Sequence, residues 1–473
     1  MNQMRVARLA SHALTALLVT AAGQQSLANE LLFTIPDNLE FGNIDIFLTS
    51  GTATTATVTN RNGSFSQMVA IPAGGTAIVT VPDAQPIGAL AVPTDQGFSI
   101  TSPDPIAAYL MDANVPVASN DITNLFPTAS LGTQYRVMAA TSNLVTSGSQ
   151  ASFVATEDNT TVTITPSAAL TTGQAAGVPF QMNLNRLQSV ELRATGTGDL
   201  TGTSIVADRK IGVFGGHLCG NVPPGAAFCD HLIEQMPSTG NFGTNFVVLP
   251  TKQAGPGDVI KVLALQDGTQ VTVTKSGEAP SVFNLNAGQS FTSDPAFNVN
   301  ASVTSNSPVL LGQFMIGQTI AGDGDPAFSL VPDVTQWLSD YIFNVPAGNY
   351  NDFLGVAIVE SALSSLTLDG ALIDPLLFSA VPGGAFLAGN IPVTDGSHRI
   401  TASSPFMLLG HGFNNNFASY FGIGGSAISG GGFEPPVIPE EPPSSVVSEP
   451  PGLAALAAGF LGLAFQMRRR RRR

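Results

Sequence analysis

Short runs of alternating apolar and polar residues dominate this chain. Thr161-Val162-Thr163-Ile164-Thr165 and Gln270-Val271-Thr272-Val273-Thr274 are the clearest. A period of two is that of a half-buried strand. Counterparts at Thr57-Val58-Thr59-Asn60-Arg61-Asn62-Gly63 and Leu366-Thr367-Leu368-Asp369-Gly370 run into Asn-Gly and Asp-Gly, dipeptides that close hairpins. Pro72-Ala73-Gly74-Gly75, Ala287-Gly288-Gln289 and Pro382-Gly383-Gly384 mark further turns.

The pattern repeats. Segments beginning at Ile100, Ile205, Val303 and Ile400 each start on alternating residues, pass a polar stretch and resume on apolar ones. Ile100-Thr101-Ser102-Pro103-Asp104-Pro105-Ile106 is the first and Ile400-Thr401-Ala402-Ser403-Ser404-Pro405-Phe406 the last. Their starts lie 105, 98 and 97 residues apart. Each reads as a strand, a polar turn and a second strand. A proline opens three of the units, at Pro127, Pro237 and Pro332, and weakly a fourth at Pro36. It precedes an apolar residue four positions before an aromatic one: Leu131 and Tyr135, Phe242 and Phe246, Trp337 and Tyr341. That spacing is read as core packing.

The expected fold is all-β, with four tandem β-sandwich-like repeats over 29–126, 127–236, 237–331 and 332–430. Units of about 100 residues with many short strands suit that architecture. The alternative is closure of the repeats into a ring or propeller-like body, which also hides sheet edges. Composition agrees: 11% of the 473 residues are charged, and Gly and Pro number 49 and 33. No helical pattern alternates with the strands, which argues against a parallel α/β enzyme.

The two ends carry export signals. Arg5 and Arg8 precede an apolar stretch from Ala13 to Ala22 and small residues at Ser26 and Ala28. Residues 1–28 therefore read as a signal peptide cleaved between Ala28 and Asn29. A Pro/Glu-rich spacer, 431–449, leads to a tail, 450–473. There an apolar stretch from Gly452 to Met467, read as a short transmembrane helix, precedes Arg468, Arg469, Arg470, Arg471, Arg472 and Arg473. Terminal arginines stay on the cytoplasmic side. With Val447-Ser448-Glu449-Pro450 in front, the tail resembles the PEP-CTERM sorting signal of Gram-negative bacteria. The usual box has Pro where Ser448 stands, which bears on recognition by an exosortase-type processing enzyme. The alternative is a simple tail anchor. Localisation is then the cell surface, outer envelope or extracellular matrix, reached through the secretion machinery. Membrane contact through the C-terminal helix precedes processing.

The net charge is −15. Without the arginines of the two ends it is −23, from ten basic and 33 acidic residues. So acidic a body repels nucleic acid and anionic headgroups.

The most distinctive stretch runs from His217 to His231 and holds both cysteines, Cys219 and Cys229. In an exported chain they are expected to form one disulfide that pins a Pro-Gly loop between the second and third units. A metal site from His217, Cys219, Cys229 and His231 is the sharper alternative, although the spacing is not a usual zinc pattern. Free thiols are a third. Asp323-Gly324-Asp325 looks like a fragment of a calcium loop without the remaining carboxylates, and is read as a polar loop. No nucleophile elbow, His-Glu-x-x-His or phosphate loop is present. No catalytic residue, cofactor or metal is assigned.

Between about Phe98 and Gly370 the chain resembles the N-terminal domain family of the IgGFc-binding proteins. The resemblance rests on Ala155-Thr156-Glu157-Asp158-Asn159-Thr160-Thr161-Val162-Thr163-Ile164-Thr165-Pro166, on Asp199-Leu200-Thr201-Gly202-Thr203, and on the block from Gly216 to Val248. It implies an extracellular β-rich binding or matrix module without established catalysis. Nothing in the sequence identifies an Fc-contacting surface. The expectation is a non-enzymatic, adhesive or structural protein of a biofilm or exopolysaccharide matrix, with an unknown extracellular glycan or protein ligand. The rival is a secreted carbohydrate-active enzyme, whose two carboxylates need not be close in sequence.

Overall fold

The structure, a computed structural model, describes residues 28–39, 42–82, 89–113, 119–142, 148–414 and 418–428. The signal peptide up to Leu27, the spacer and the sorting tail lie outside the described residues. No helix among the described residues is long and apolar enough to cross a membrane.

The strands form four antiparallel sheets, three of seven strands and one of eight. Each is organised around one long strand: Phe98–Ala113, Ser204–Gly220, Ala301–Phe314 and Gly396–Phe413. In the first sheet the order is Ser66–Ile71, Thr54–Asn60, the long strand, Asn43–Ser50, Gly75–Val81. Ala28–Phe33 and Ile122–Leu125 also pair with the long strand. The first half of that strand, around Ile100, is flanked by Leu31 and Val58. Its second half pairs Tyr109 with Phe47 on one side and Asn124 on the other. One strand thus serves both layers of a barrel-like unit.

This corrects the sequence reading at one point. The polar segments after Ile100, Ile205, Val303 and Ile400 are not turns between two strands. The ladder to the opening strand jumps from Thr101 to Ile106, Val206 to Ile211, Thr304 to Val309 and Thr401 to Phe406. The polar residues lie in these jumps, where the strand bends from one layer into the other. Bends and bulges are how strands switch sheets at a corner. Pro is tolerated there because the local ladder is already interrupted.

The proline-led openings form single 3₁₀ turns at Thr128–Ser130, Thr239–Asn241 and Val334–Gln336. Leu131, Tyr135, Phe242, Phe246, Trp337 and Tyr341 are all buried, as core residues. Tyr135 and Tyr341 cross their units in the same way. Each accepts a bond from the nearby N–H of Gly132 or Leu338 and donates to the carbonyl of Ile211 or Phe406.

The four sheets close into a ring. The strands that pair with the second halves of the long strands are Ile122–Leu125, Asp230–Met236, Phe328–Val331 and Ser419–Ile423. They touch one another in cyclic order, the last returning to the first. Between the first and last sheets, Tyr109 packs edge-on against Phe343 at 5.2 Å and donates to the Gly424 carbonyl at 2.6 Å. The apolar clusters cross sheet boundaries accordingly: Tyr109 and Ile122 belong with Leu354 and Phe406 of the fourth sheet.

Candidate functional site

The four inner strands meet at a polar hub, and Asp121 stands at its centre. Its carboxylate is completely buried. It accepts from the N–H groups of Ile122 at 2.9 Å, Phe328 at 3.0 Å, Phe421 at 3.3 Å and Ile233 at 3.4 Å. These donors are equivalent. Their ladder partners, Met111, Gly216, Phe314 and His411, each lie five positions past the bend residues Ile106, Ile211, Val309 and Phe406. One carboxylate therefore collects the same backbone donor from all four sheets. Burial pushes its pKa well above the ordinary value, while the N–H groups of Phe328, Ile122 and Ile233 oppose the rise.

Glu234 forms the next layer. It accepts from the Thr123 hydroxyl at 2.8 Å and the Leu330 N–H at 3.0 Å. Burial raises its pKa to about 8. Close approach of the strands requires small residues here: a Cβ on Gly216 would lie 1.7 Å from the Leu232 carbonyl oxygen.

The distinctive His217–His231 stretch lies beside this hub. Cys219 and Cys229 form the disulfide, with Cα atoms 5.0 Å apart. The loop it closes is clasped to the third sheet's connection. The Val222 carbonyl accepts from Gly317 N–H at 2.7 Å, and Ala227 N–H donates to the Thr319 hydroxyl at 3.0 Å. The pairing removes both thiolates from the alternative metal set. His217 Nδ1 accepts from Cys219 N–H at 3.1 Å, and burial lowers the pKa of this imidazole to about 4. His231 Nδ1 faces Asp112 at 2.8 Å, and its Nε2 faces the Gln150 amide at 2.9 Å. Among the described residues no three His, Cys, Asp or Glu side chains converge as metal ligands.

Asp323 and Asp325, the calcium-loop fragment, part company. Asp323 Oδ1 accepts from Ala254 N–H at 3.1 Å at the surface, whereas Asp325 turns into the hub. The Asp199–Thr203 motif docks the second sheet on the third. Lys261 Nζ, buried, reaches Asp199 at 2.7 Å, the Ala139 carbonyl at 2.8 Å and the Thr201 hydroxyl at 3.2 Å. Asp258 accepts from Thr251 and Gln313, and burial lifts its pKa to about 6. A cleft opens near the other end of the inner strands, lined by Phe126, Phe246, Gln336 and Ile428 among others, none of them titratable.

The family model described as IgGFc binding protein matches residues 121–412, from the hub aspartate to the end of the fourth long strand. The chain belongs to this family. It is also 27% identical over 301 residues to a human protein named IgGFc-binding protein. That alignment covers 62% of this chain and 5% of the human protein. The family match begins at Asp121 itself and takes in the disulfide loop, the Asp199–Lys261 contact and three of the four long strands.

Hub chemistry was largely missed in the sequence. A signal was present: Asp121, Asp230 and Asp325 lie six, seven and seven residues before Pro127, Pro237 and Pro332. The repeat of an acid ahead of each opening proline was not connected to the repeat of the sheets.

Proposed function

We propose that this chain is an exported, non-enzymatic protein of the cell surface or extracellular matrix of a Gram-negative bacterium, adhesive or structural in a biofilm or exopolysaccharide. The observation that carries the reading is the placement of its acids. Carboxyl groups with raised pKa are a mark of acid–base sites, yet Asp121, Asp230, Glu234 and Asp258 are buried to within 2%. Asp121 and Glu234 hold sheets together, Asp258 ties Thr251 to Gln313 within the third unit, and all four are out of reach of a substrate. The family membership and the disulfide support delivery to an oxidising, extracellular compartment. A ring of four similar units offers repeated outer surfaces, and repeated weak contacts give avidity without one strong site.

The test is retention of the purified protein on arrays of exopolysaccharides and matrix proteins, combined with assay of the same glycans for cleavage. Specific retention without turnover is expected. Turnover abolished by a single carboxylate substitution would instead establish the carbohydrate-active enzyme. Immunoglobulin Fc belongs on the same array as a comparison.

A further inference from the structure

We propose that the seam between the first and second units is a proton-dependent latch, built on Arg193 and the two buried carboxylates that share it, Asp37 and Glu191. Asp37 belongs to the first unit. Glu191 and Arg193 lie on an edge strand of the second, Ser189–Arg193. The Arg193 guanidinium reaches Asp37 Oδ2 at 2.7 Å and also bonds Glu191 Oε1. Glu191 Oε2 accepts from the Asp37 N–H at 2.8 Å. Asp37 is 8% exposed and Glu191 0%.

The same edge of the second sheet carries the backbone bonds of the seam. Ala91 N–H donates to the Glu191 carbonyl at 2.7 Å, and Gly97 N–H to that of Leu187 at 3.1 Å. Thr94 and Ser189 exchange both their bonds at 2.9 Å. The charge state of Glu191 therefore acts on the strand that holds the first unit. The family match begins at Asp121, so the body of the unit docked here, residues 28–113, lies outside it.

Two carboxylates and one guanidinium leave the trio with one negative charge in excess, out of water. Like charges that share a buried site cannot both ionise cheaply. Docking is therefore coupled to uptake of one proton by the Asp37–Glu191 pair. Burial, and next the charge of Asp37, push Glu191 from 4.5 up to about 7, against the pull of Arg193. His217 feels the charge of Arg193, but burial lowers its pKa to about 4, so it stays neutral above that. The Gln150 amide stands 3.0 Å from the Asp37 carbonyl oxygen and 2.9 Å from His231 Nε2, and His231 Nδ1 faces Asp112 at 2.8 Å. Farther out, Arg186 pairs with Glu30 and Arg61 with Asp95.

Undocked, Glu191 releases its proton near its ordinary 4.5; docked, it does so near 7. Between those values opening releases a proton, so the opening equilibrium rises with pH, by up to about tenfold per unit. The latch is tightest below pH 4.5 and loosest above pH 7.

The experiment is hydrogen exchange of the full-length protein at pH 5 and pH 7.5, corrected for the intrinsic rates. It is read at the seam N–H groups of Ala91, Thr94, Gly97 and Ser189 and, as a reference, in the third-sheet strand Val259–Ala264. At pH 7.5 the seam should open at least about tenfold more than at pH 5, a larger change than the reference shows. Glu191→Gln, a neutral isostere that leaves Arg193 to Asp37, should remove most of that change. Asp37→Asn, which leaves Arg193 to Glu191, should do the same and replaces Glu191→Gln if circular dichroism shows that variant unfolded. A seam equally protected at both pH values overturns the latch. So does a response as strong in the folded variant as in the wild type. A response shared equally by the reference strand overturns it in favour of global unfolding.

Discussion

The carboxylate of Asp121 accepts a hydrogen bond from the main-chain N–H of Phe328 at 3.0 Å, across 207 residues of sequence. The same two oxygens take N–H donors from the first, second and fourth inner strands, so this side chain works as the keystone of the ring. Asp121→Ala would strand these donors in an apolar interior. Each buried unsatisfied group costs about 1–3 kcal/mol. A loss of at least roughly 3 kcal/mol in denaturant unfolding is expected, allowing for partial relaxation. Asp121→Asn should lose less, because one oxygen remains. A change in stability below about 0.5 kcal/mol for Asp121→Ala would show that the hub bonds are incidental.

Glu234 predicts a pH dependence with a definite sign. Its pKa is near 8 in the folded protein and 4.5 ordinarily. Between those values the unfolded chain has released the proton and the folded chain has kept it. Its contribution to stability is therefore full below pH 4.5 and declines as pH rises toward 8, by up to about 1.4 kcal/mol per unit. Glu234→Gln, which mimics the protonated acid, should flatten this limb of the stability profile. Parallel profiles for variant and wild type would refute the assignment.

Two buried histidines act in the opposite direction. His217 and His411 have pKa values lowered by burial to about 4 and about 3, from 6.5. Below pH 6.5 the unfolded chain binds protons that the folded chain refuses, so stability falls as pH drops from 6.5 toward 4. His411 accepts from the Lys252 N–H at 3.1 Å. His411→Gln should reduce the acid-side slope, measured by unfolding midpoints between pH 4 and 7. An unchanged slope would count against a neutral, buried imidazole at this position.

The Lys261–Asp199 contact joins a buried ammonium to a half-buried carboxylate. Lys261→Met leaves Asp199 without its partner but still in reach of water, and is expected to cost roughly 1–3 kcal/mol. Adding Asp199→Asn should recover part of that loss. Additive costs in the double-variant cycle would indicate no coupling across this junction.

The disulfide gives a covalent test. Unfolding without reductant should reveal no thiol at Cys219 or Cys229. Replacing both with serine should cost about 2–3 kcal/mol, the scale for closing a short loop. Two titratable thiols in freshly purified protein would sink the pairing. Proteolysis of the serine variant should begin in the clasped loop, because Val222 and Ala227 then hold the Gly317–Thr319 connection through hydrogen bonds alone.

The sequence by itself determined much of this protein. Alternating Val and Thr, hairpin dipeptides and opening prolines placed strands and turns, because these signals are local to the backbone. The same stretches specified four similar units and carried the family resemblance. Two cysteines ten residues apart sufficed to expect their bond. Only the tertiary structure decided that each polar segment, as at Ser102–Pro105, is a bend within one strand. A hairpin and a corner share the same polar residues, and the difference lies in which distant strand each half pairs with. Only tertiary structure decided, too, between a string of sandwiches and a ring. Closure depends on Tyr109 meeting Phe343 and on Asp121 meeting donors from four sheets. Those contacts join residues hundreds of positions apart, and no local period records them.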